Sequence, residues 1–333
     1  ITFAYGTLIR GLGVGEMFMA VVGLAVAGIP EGLPAIMTIT LAIGVQRMAK
    51  KHAIIRRLPA VETLGSVTVI CSDKTGTLTR NEMTAKTITT GAGVCEISGV
   101  GYDPHGTFTL DGLEVMPDEF FLLQEIAQAS LLCNDVTLMK SDGKWMIQGD
   151  PTEGALVTLG RKAGQDQASL EEKYPRTDVI PFESQHRFMA TLHHDHAGHG
   201  FIYIKGAPEQ VLNMCHLQRM RGQDVPLNRL YWESCIDTMA SNGQRLIAIA
   251  FRLAPETHTS LSFSDIDGGL SLLGVIGIID PPRKEAITAV QACKSAGIQV
   301  KMITGDHSAT ACAIGTQLGI GDGVTVYSGS ELD

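Results

Sequence analysis

One nine-residue string concentrates the chemistry of this sequence: Cys71-Ser72-Asp73-Lys74-Thr75-Gly76-Thr77-Leu78-Thr79. It emerges from Ser66-Val67-Thr68-Val69-Ile70-Cys71, a short apolar, β-branched run that reads as a buried strand. A carboxylate on the C-terminal tip of such a strand, followed by Lys74, Thr75 and Gly76, suits a nucleophile that forms an aspartyl phosphate. Gly76 lets the backbone approach an incoming phosphoryl group closely. Thr77 and nearby backbone N–H groups can donate to the equatorial oxygens that carry the transition-state charge. The Asp73 carboxylate and the Thr75 carbonyl are hard oxygen ligands suited to Mg²⁺. A lone strand-end Asp would ordinarily read as a helix N-cap; the whole string argues against that here.

A second candidate is Glu31, the single charged residue between Met17 and Gln46. Thirty helical residues would span about 45 Å, against a hydrocarbon core of roughly 30 Å, so this is a transmembrane candidate. Pro30, Gly32 and Pro34 interrupt it around Glu31. The prolines are expected to leave the carbonyls of Val26, Ala27 and Ile29 without helical donors. Free carbonyls plus one carboxylate make an oxygen cage for a hard transported cation, whereas a copper or zinc path would call for thiolates. The run is too long for a signal peptide, and a buried soluble helix would be broken by these residues without return. Arg47, Lys50, Lys51, Arg56 and Arg57 follow, which places residues after about 50 in the cytosol. Residues 1–12 read as the end of a preceding span and a tight turn.

These residues must be positioned by alternating strands and helices. Gln299 to Ile303 reads as a strand ending at Thr304-Gly305-Asp306, followed by a helix near Ser308–Leu318 with Gly319 at its C-cap. Leu270 to Ile279 is another buried run, closed by Asp280-Pro281-Pro282-Arg283, and Val324–Tyr327 reads as a last strand. Strands that end in Asp-bearing loops suggest a doubly wound parallel sheet of the α/β class, with ligands at the carboxyl ends. Asp150-Pro151-Thr152-Glu153 has the form of a capping box, and Pro208 that of a helix start. His193, His194, His196 and His199 fall between two alternating runs, Arg187–Leu192 and Phe201–Lys205, and read as a hairpin loop with at most adventitious metal binding.

Composition sets the outer bounds. The chain has 333 residues, 44% hydrophobic and 18% charged, which excludes a disordered chain. A net charge of −9 argues against a nucleic-acid partner. Seven cysteines without a C-x-x-C pair read as reduced thiols, mostly in the core.

The string from Cys71 to Thr79 resembles the phosphorylation signature of the P-type (E1-E2) cation-transporting ATPases. Pro30-Glu31-Gly32-Leu33-Pro34 resembles the fourth-span motif of their calcium-pump branch. The resemblance covers essentially the whole chain. It implies a membrane segment at 1–53: a transmembrane helix pair whose second helix is broken between Pro30 and Pro34. It further implies a split, haloacid-dehalogenase-like phosphorylation domain at 54–82 and 275–333, and an inserted α+β nucleotide-binding domain at 83–274. Within the insert, Lys205 and Gly206 resemble the ATP-site loop, and Phe182 the ring that stacks on adenine. Glu153 resembles a base contact, and Arg245 the arginine that reaches the phosphates. Thr304, Gly305, Asp306 and Asp280 resemble loops lining the phosphate and magnesium site.

The implied activity is ATP-driven cation transport with Mg²⁺, Ca²⁺ being the favoured cargo, in a multi-pass protein of a bacterial plasma membrane. The partners would be lipid, the remaining spans and an actuator domain. The family's G-D-G-x-N-D and T-G-E loops do not occur in the sequence, so the resemblance also implies a fragment that does not turn over ATP alone. A soluble haloacid-dehalogenase-type phosphatase and a catalytically dead nucleotide-binding relative are the alternatives.

Overall fold

The computed structural model describes residues 1–28, 32–305, 308–322, 325–327 and 331. The chain divides into two compact units, Ile1–Thr68 and Val69–Asp333.

In the first unit, helices span Val14–Ala27 and Gly32–Ala49. The stretch Val14–Ala49 is long and apolar enough to cross a membrane. Its large apolar side chains, among them Phe18, Leu24, Val26, Ile36 and Ile39, are exposed, as they would be in a segment whose solvent is lipid. Pro34 lies in the first turn of the second helix, where its missing N–H has no intrahelical partner to lose. Of the break expected between Pro30 and Pro34, Gly32, Leu33 and Pro34 are helical, and Pro30 and Glu31 lie outside the described residues. A short helix, Pro59–Gly65, follows, with Val61 against Gly44.

The second unit is mixed α/β. Its centre is an eleven-stranded, largely antiparallel sheet. The strand Leu270–Ile279 is buried along all ten residues. It pairs antiparallel with Thr84–Thr90 on one side and Arg245–Ala254 on the other. Leu273, Ile276 and Ile278 face a core shared with the helices Phe121–Leu132 and Pro151–Lys162. Leu270, Leu272 and Val275 face another, shared with the helices Pro208–Met214 and Arg229–Ser241. Both faces are covered, which is why the strand reads as a continuous apolar run.

That pairing corrects the sequence reading. Leu270–Ile279 is a strand with the expected limits, but it belongs to the antiparallel sheet and not beside Asp73. A run covered on both faces looks the same in either kind of sheet, so its residues could not distinguish them. The parallel sheet among the described residues has two strands, Val69–Asp73 and Gln299–Ile303. The first begins three residues later than expected, because the Ser66 and Val67 N–H groups close onto the carbonyls of Thr63 and Leu64 at the preceding helix end. The helix Ser308–Leu318 ends at Gly319, whose φ of 72° suits glycine, and the Ile320 N–H caps Gly315. Val324 lies outside the described residues, and 325–327 form no strand.

The hairpin pairs Phe188–His194 with Gly200–Gly206, so His193 and His194 belong to the strand and not to the loop. Among the described residues, no three His, Cys, Asp or Glu side chains gather into a metal-holding group. Of the seven cysteines, Cys95, Cys133 and Cys215 are buried and the other four are not, so the thiols are less internal than expected. Burial pushes the thiol of Cys95 up to about 11 and that of Cys215 up to about 12.

Candidate active site

Asp73 is the last residue of its strand and sits opposite Ile303 in the parallel register. Thr304 and Gly305 therefore leave the sheet at the same edge as Asp73; Asp306 lies outside the described residues. Asp73 itself is exposed, while Lys74 is buried. Thr75 (φ −73°, ψ 124°) and Gly76 (φ 71°, ψ −10°) take the central positions of a type II turn. The second of these positions requires φ > 0, so glycine is the residue that occupies it without strain.

A segment about two hundred residues away in sequence fixes this turn. Thr79 donates its hydroxyl to Asp280 Oδ2 at 2.6 Å, and the Glu82 N–H lies 3.4 Å from Asp280 Oδ1. Arg283 donates through Nε to the Thr79 carbonyl at 2.8 Å and through Nη2 to the Gly76 carbonyl at 3.0 Å. Its own N–H bonds the Leu78 carbonyl at 2.9 Å. The loop after Leu270–Ile279 thus clamps the loop after Asp73. Arg283 had no role in the sequence reading; its signal was its place after Pro281-Pro282, where the chain cannot continue a ladder.

The five remaining residues expected to meet nucleotide line one cleft of about 740 Å³: Glu153, Phe182, Lys205, Gly206 and Arg245. Asp150 caps the helix Pro151–Lys162, its Oδ1 accepting from the N–H groups of Thr152 and Glu153. The reciprocal half of the capping box does not form. Glu153 turns instead toward Lys205, with Oε1 2.7 Å from Nζ, and its Oε2 accepts from the Asp135 N–H. Lys205 is only 6% exposed, next to last in its strand. Its ammonium is thus ion-paired with the Glu153 carboxylate at the cleft wall.

Phe182 lies on the loop between the strands Arg176–Ile180 and Phe188–His194, with its ring largely exposed to the cleft. Arg245 opens its strand and donates to Thr152 Oγ1 at 3.1 Å. At Gly206 a Cβ would stand 2.6 Å from the Arg187 carbonyl oxygen, so the close approach of loop and strand requires glycine. Arg187, at φ 57°, also lines the cleft and lies 3.8 Å from Glu209. Sequence reasoning missed Arg187 because it looks like an ordinary strand-edge charge. The cleft thus carries three cations, the three carboxylates of Asp150, Glu153 and Glu209, and an exposed ring together with apolar Leu156, Ile236 and Ile247, which suits a ligand with a charged part and a flat apolar part. None of the residues from Asp73 to Thr79 lines it.

Of the expected transported-cation ligands, Val26 and Ala27 form the end of the first long helix, where the Gly28 N–H bonds the Leu24 carbonyl at 3.1 Å. Ile29 and Glu31 lie outside the described residues.

A family model described as P-type ATPase, cytoplasmic domain N, matches residues 122–285, a span that contains Glu153, Phe182, Lys205, Gly206 and Arg245. The whole chain is 48% identical to the Cation-transporting ATPase pma1 of Synechocystis sp., covering 38% of that protein. It is 41% identical over 93% of its length to a Calcium-transporting ATPase of Bacillus subtilis, covering 35% of it. Likewise it is 41% identical over 96% of its length to the human Calcium-transporting ATPase type 2C member 1, covering 34% of it. The chain belongs to the P-type ATPase family. It spans little more than a third of the length of these relatives.

Proposed function

We propose that this chain carries the phosphorylation site, the nucleotide cleft and part of the cation path of an ATP-driven cation pump. The observation that carries the reading is the exposed Asp73 carboxylate at a strand tip, ahead of a turn clamped by Asp280 and Arg283. In this mechanism a carboxylate oxygen of Asp73 attacks the γ-phosphorus of ATP. The bond from that phosphorus to the bridging oxygen breaks, ADP leaves, and water later hydrolyses the acyl phosphate. The rigid turn holds its backbone and Thr77 where the equatorial oxygens collect charge, without reorganisation during the step.

ATP would occupy the 740 Å³ cleft, its base against Phe182 and its phosphates toward Lys205, Arg187 and Arg245. Lys205, Arg187 and Arg245 place cationic groups along the cleft wall for the phosphates. The Asp73 carboxylate and Thr75 carbonyl fit Mg²⁺ as hard oxygens, whereas Asp280 already spends its carboxylate on Thr79 and Glu82. When bound there, Mg²⁺ would neutralise charge on the transferring phosphoryl group. Thr304, Gly305 and Asp306 would complete the phosphate site from the neighbouring strand.

We assign 1–53 to the membrane segment, with Val26, Ala27, Ile29 and Glu31 as the cation ligands. We assign 54–82 and the C-terminal part to a split, doubly wound phosphorylation domain, and the intervening residues to the inserted nucleotide domain. The unbroken strand Leu270–Ile279 favours a second join at Asp280 over one at residue 274. Two of the relatives are named calcium-transporting, which favours Ca²⁺ as cargo, moved out of the cytosol across a membrane in which the exposed apolar helices lie. Phosphorylation would act on the cation site by linkage between two conformations. The test is labelling of the full-length protein with γ-labelled ATP. An acid-stable, hydroxylamine-sensitive label lost in Asp73→Asn supports the reading; label retained in that variant contradicts it.

A further inference from the structure

The loop that carries Phe182 is pinned from behind by a histidine. His186 is four residues further along the same loop, with its side chain mostly buried at 15% exposure. Its Nε2 lies 2.9 Å from the carbonyl oxygen of Pro181, the residue just before Phe182. A carbonyl only accepts, so Nε2 carries the proton and donates. The imidazole is held between two rings, with centroids 4.5 Å from Phe188 and 5.5 Å from Phe263. Phe188 is a buried strand residue. Phe263 belongs to a short turn closed by reciprocal bonds between Ser262 and Asp265. The adjacent Leu261 N–H bonds Asp178 Oδ2 at 2.7 Å, anchoring that turn to the strand leading into the loop. The loop's other end is fixed too: the Arg187 N–H bonds the Glu183 carbonyl, and the Ala207 N–H the Arg187 carbonyl.

The exposed Phe182 ring makes no aromatic contact with any of these groups, so its direction depends on the backbone at Pro181. We propose that His186 is a positioning residue for nucleotide affinity. Its Nε2–H bond to the Pro181 carbonyl holds the backbone so that the Phe182 ring stands ready to stack on the base. This rests on the nucleotide reading of the cleft. Preorganising one ring lowers the ordering cost that binding otherwise carries. The only charged group within ion-pair distance of the imidazole among the described residues is Glu183, 3.9 Å from Nδ1.

The test uses the full-length protein in membranes and reads the ATP concentration that half-saturates phosphoenzyme formation. His186→Phe keeps an aromatic ring between Phe188 and Phe263 and removes the donor. His186→Gln keeps an N–H near the place of Nε2. His186→Phe should raise half-saturating ATP several-fold and up to about tenfold, part of the value of one base–aromatic stack, with the maximal phosphoenzyme level unchanged. His186→Gln should return it to within about twofold of the parent, since the hydrogen bond is restored. In a Phe182→Ala background, His186→Phe should add nothing, because the histidine acts through that ring. An unshifted His186→Phe beside a shifted Phe182→Ala would overturn the proposal alone, as would effects of the two substitutions that multiply. An unshifted Phe182→Ala would overturn the nucleotide reading of the cleft, and this proposal with it.

Discussion

The Lys205 ammonium lies 2.7 Å from the Glu153 carboxylate, joining the end of a buried strand to the first turn of the helix Pro151–Lys162. Both side chains are mostly buried, so each depends on the other for compensation. Lys205→Met should destabilise this region by roughly 3–5 kcal/mol, because it leaves a buried carboxylate unpaired. The double variant Lys205→Met/Glu153→Gln should recover most of that stability without recovering ATP affinity. Hydrogen-exchange protection of the helix amides, with and without ATP, separates the two effects.

Arg283 ties down the carbonyls of Gly76 and Thr79 and does not line the cleft proposed for nucleotide. Arg283→Ala should therefore slow phosphorylation while leaving ATP affinity nearly unchanged. Losing about 1.5–3 kcal/mol of charge-assisted bonding in the turn corresponds to a fall on the order of ten- to a hundredfold. Single-turnover labelling at saturating ATP reads the rate, and nucleotide titration reads the affinity.

Gly76 has φ 71°, and a Cβ there would meet nothing nearer than Asn81 Cβ at 3.9 Å. Any cost of substitution is thus conformational and not steric. Gly76→Ala should weaken the turn by about 1–2 kcal/mol, and Gly76→Asn by less, because Asn enters this region more readily. Phosphoenzyme yield should follow the order Gly, Asn, Ala; a yield unchanged in Gly76→Ala would contradict the rigid-turn account.

Burial pushes the His193 imidazole down to about 4, against an opposing bond to the Tyr174 carbonyl. The folded pKa lies below the ordinary value of 6.5, so the unfolded chain takes up the proton first as pH falls. The stabilisation is complete above about pH 6.5 and is lost as pH falls toward 4, amounting to about 3 kcal/mol. Protection factors in the strands Phe188–His194 and Gly200–Gly206 should decline across that window. In His193→Gln the decline should be smaller, from a lower starting stability.

What the sequence made legible follows from how far its signals reach. Asp73 and its turn stood out because their residues are adjacent in the chain and each supplies part of one chemistry. The Asp150 cap was legible for the same reason. The Glu153 side chain was not, since its partner Lys205 lies on another strand and outcompetes the local capping bond. Leu270–Ile279 showed its length through apolar continuity, but pairing partners leave no mark on a strand buried on both faces. Arg187 and Arg283 were opaque for a related reason: each takes its role from a backbone that another segment brings near.

The central claim is that ATP phosphorylates Asp73 under the control of a transported cation. Its most direct test is phosphoenzyme formation from labelled ATP by the full-length protein in membranes, titrated with free Ca²⁺ and compared with Asp73→Asn and Glu31→Gln. The account predicts label that rises with Ca²⁺, is absent in Asp73→Asn, and needs much higher Ca²⁺ in Glu31→Gln. Label that ignores Ca²⁺ and every other cation, or that survives in Asp73→Asn, would contradict it.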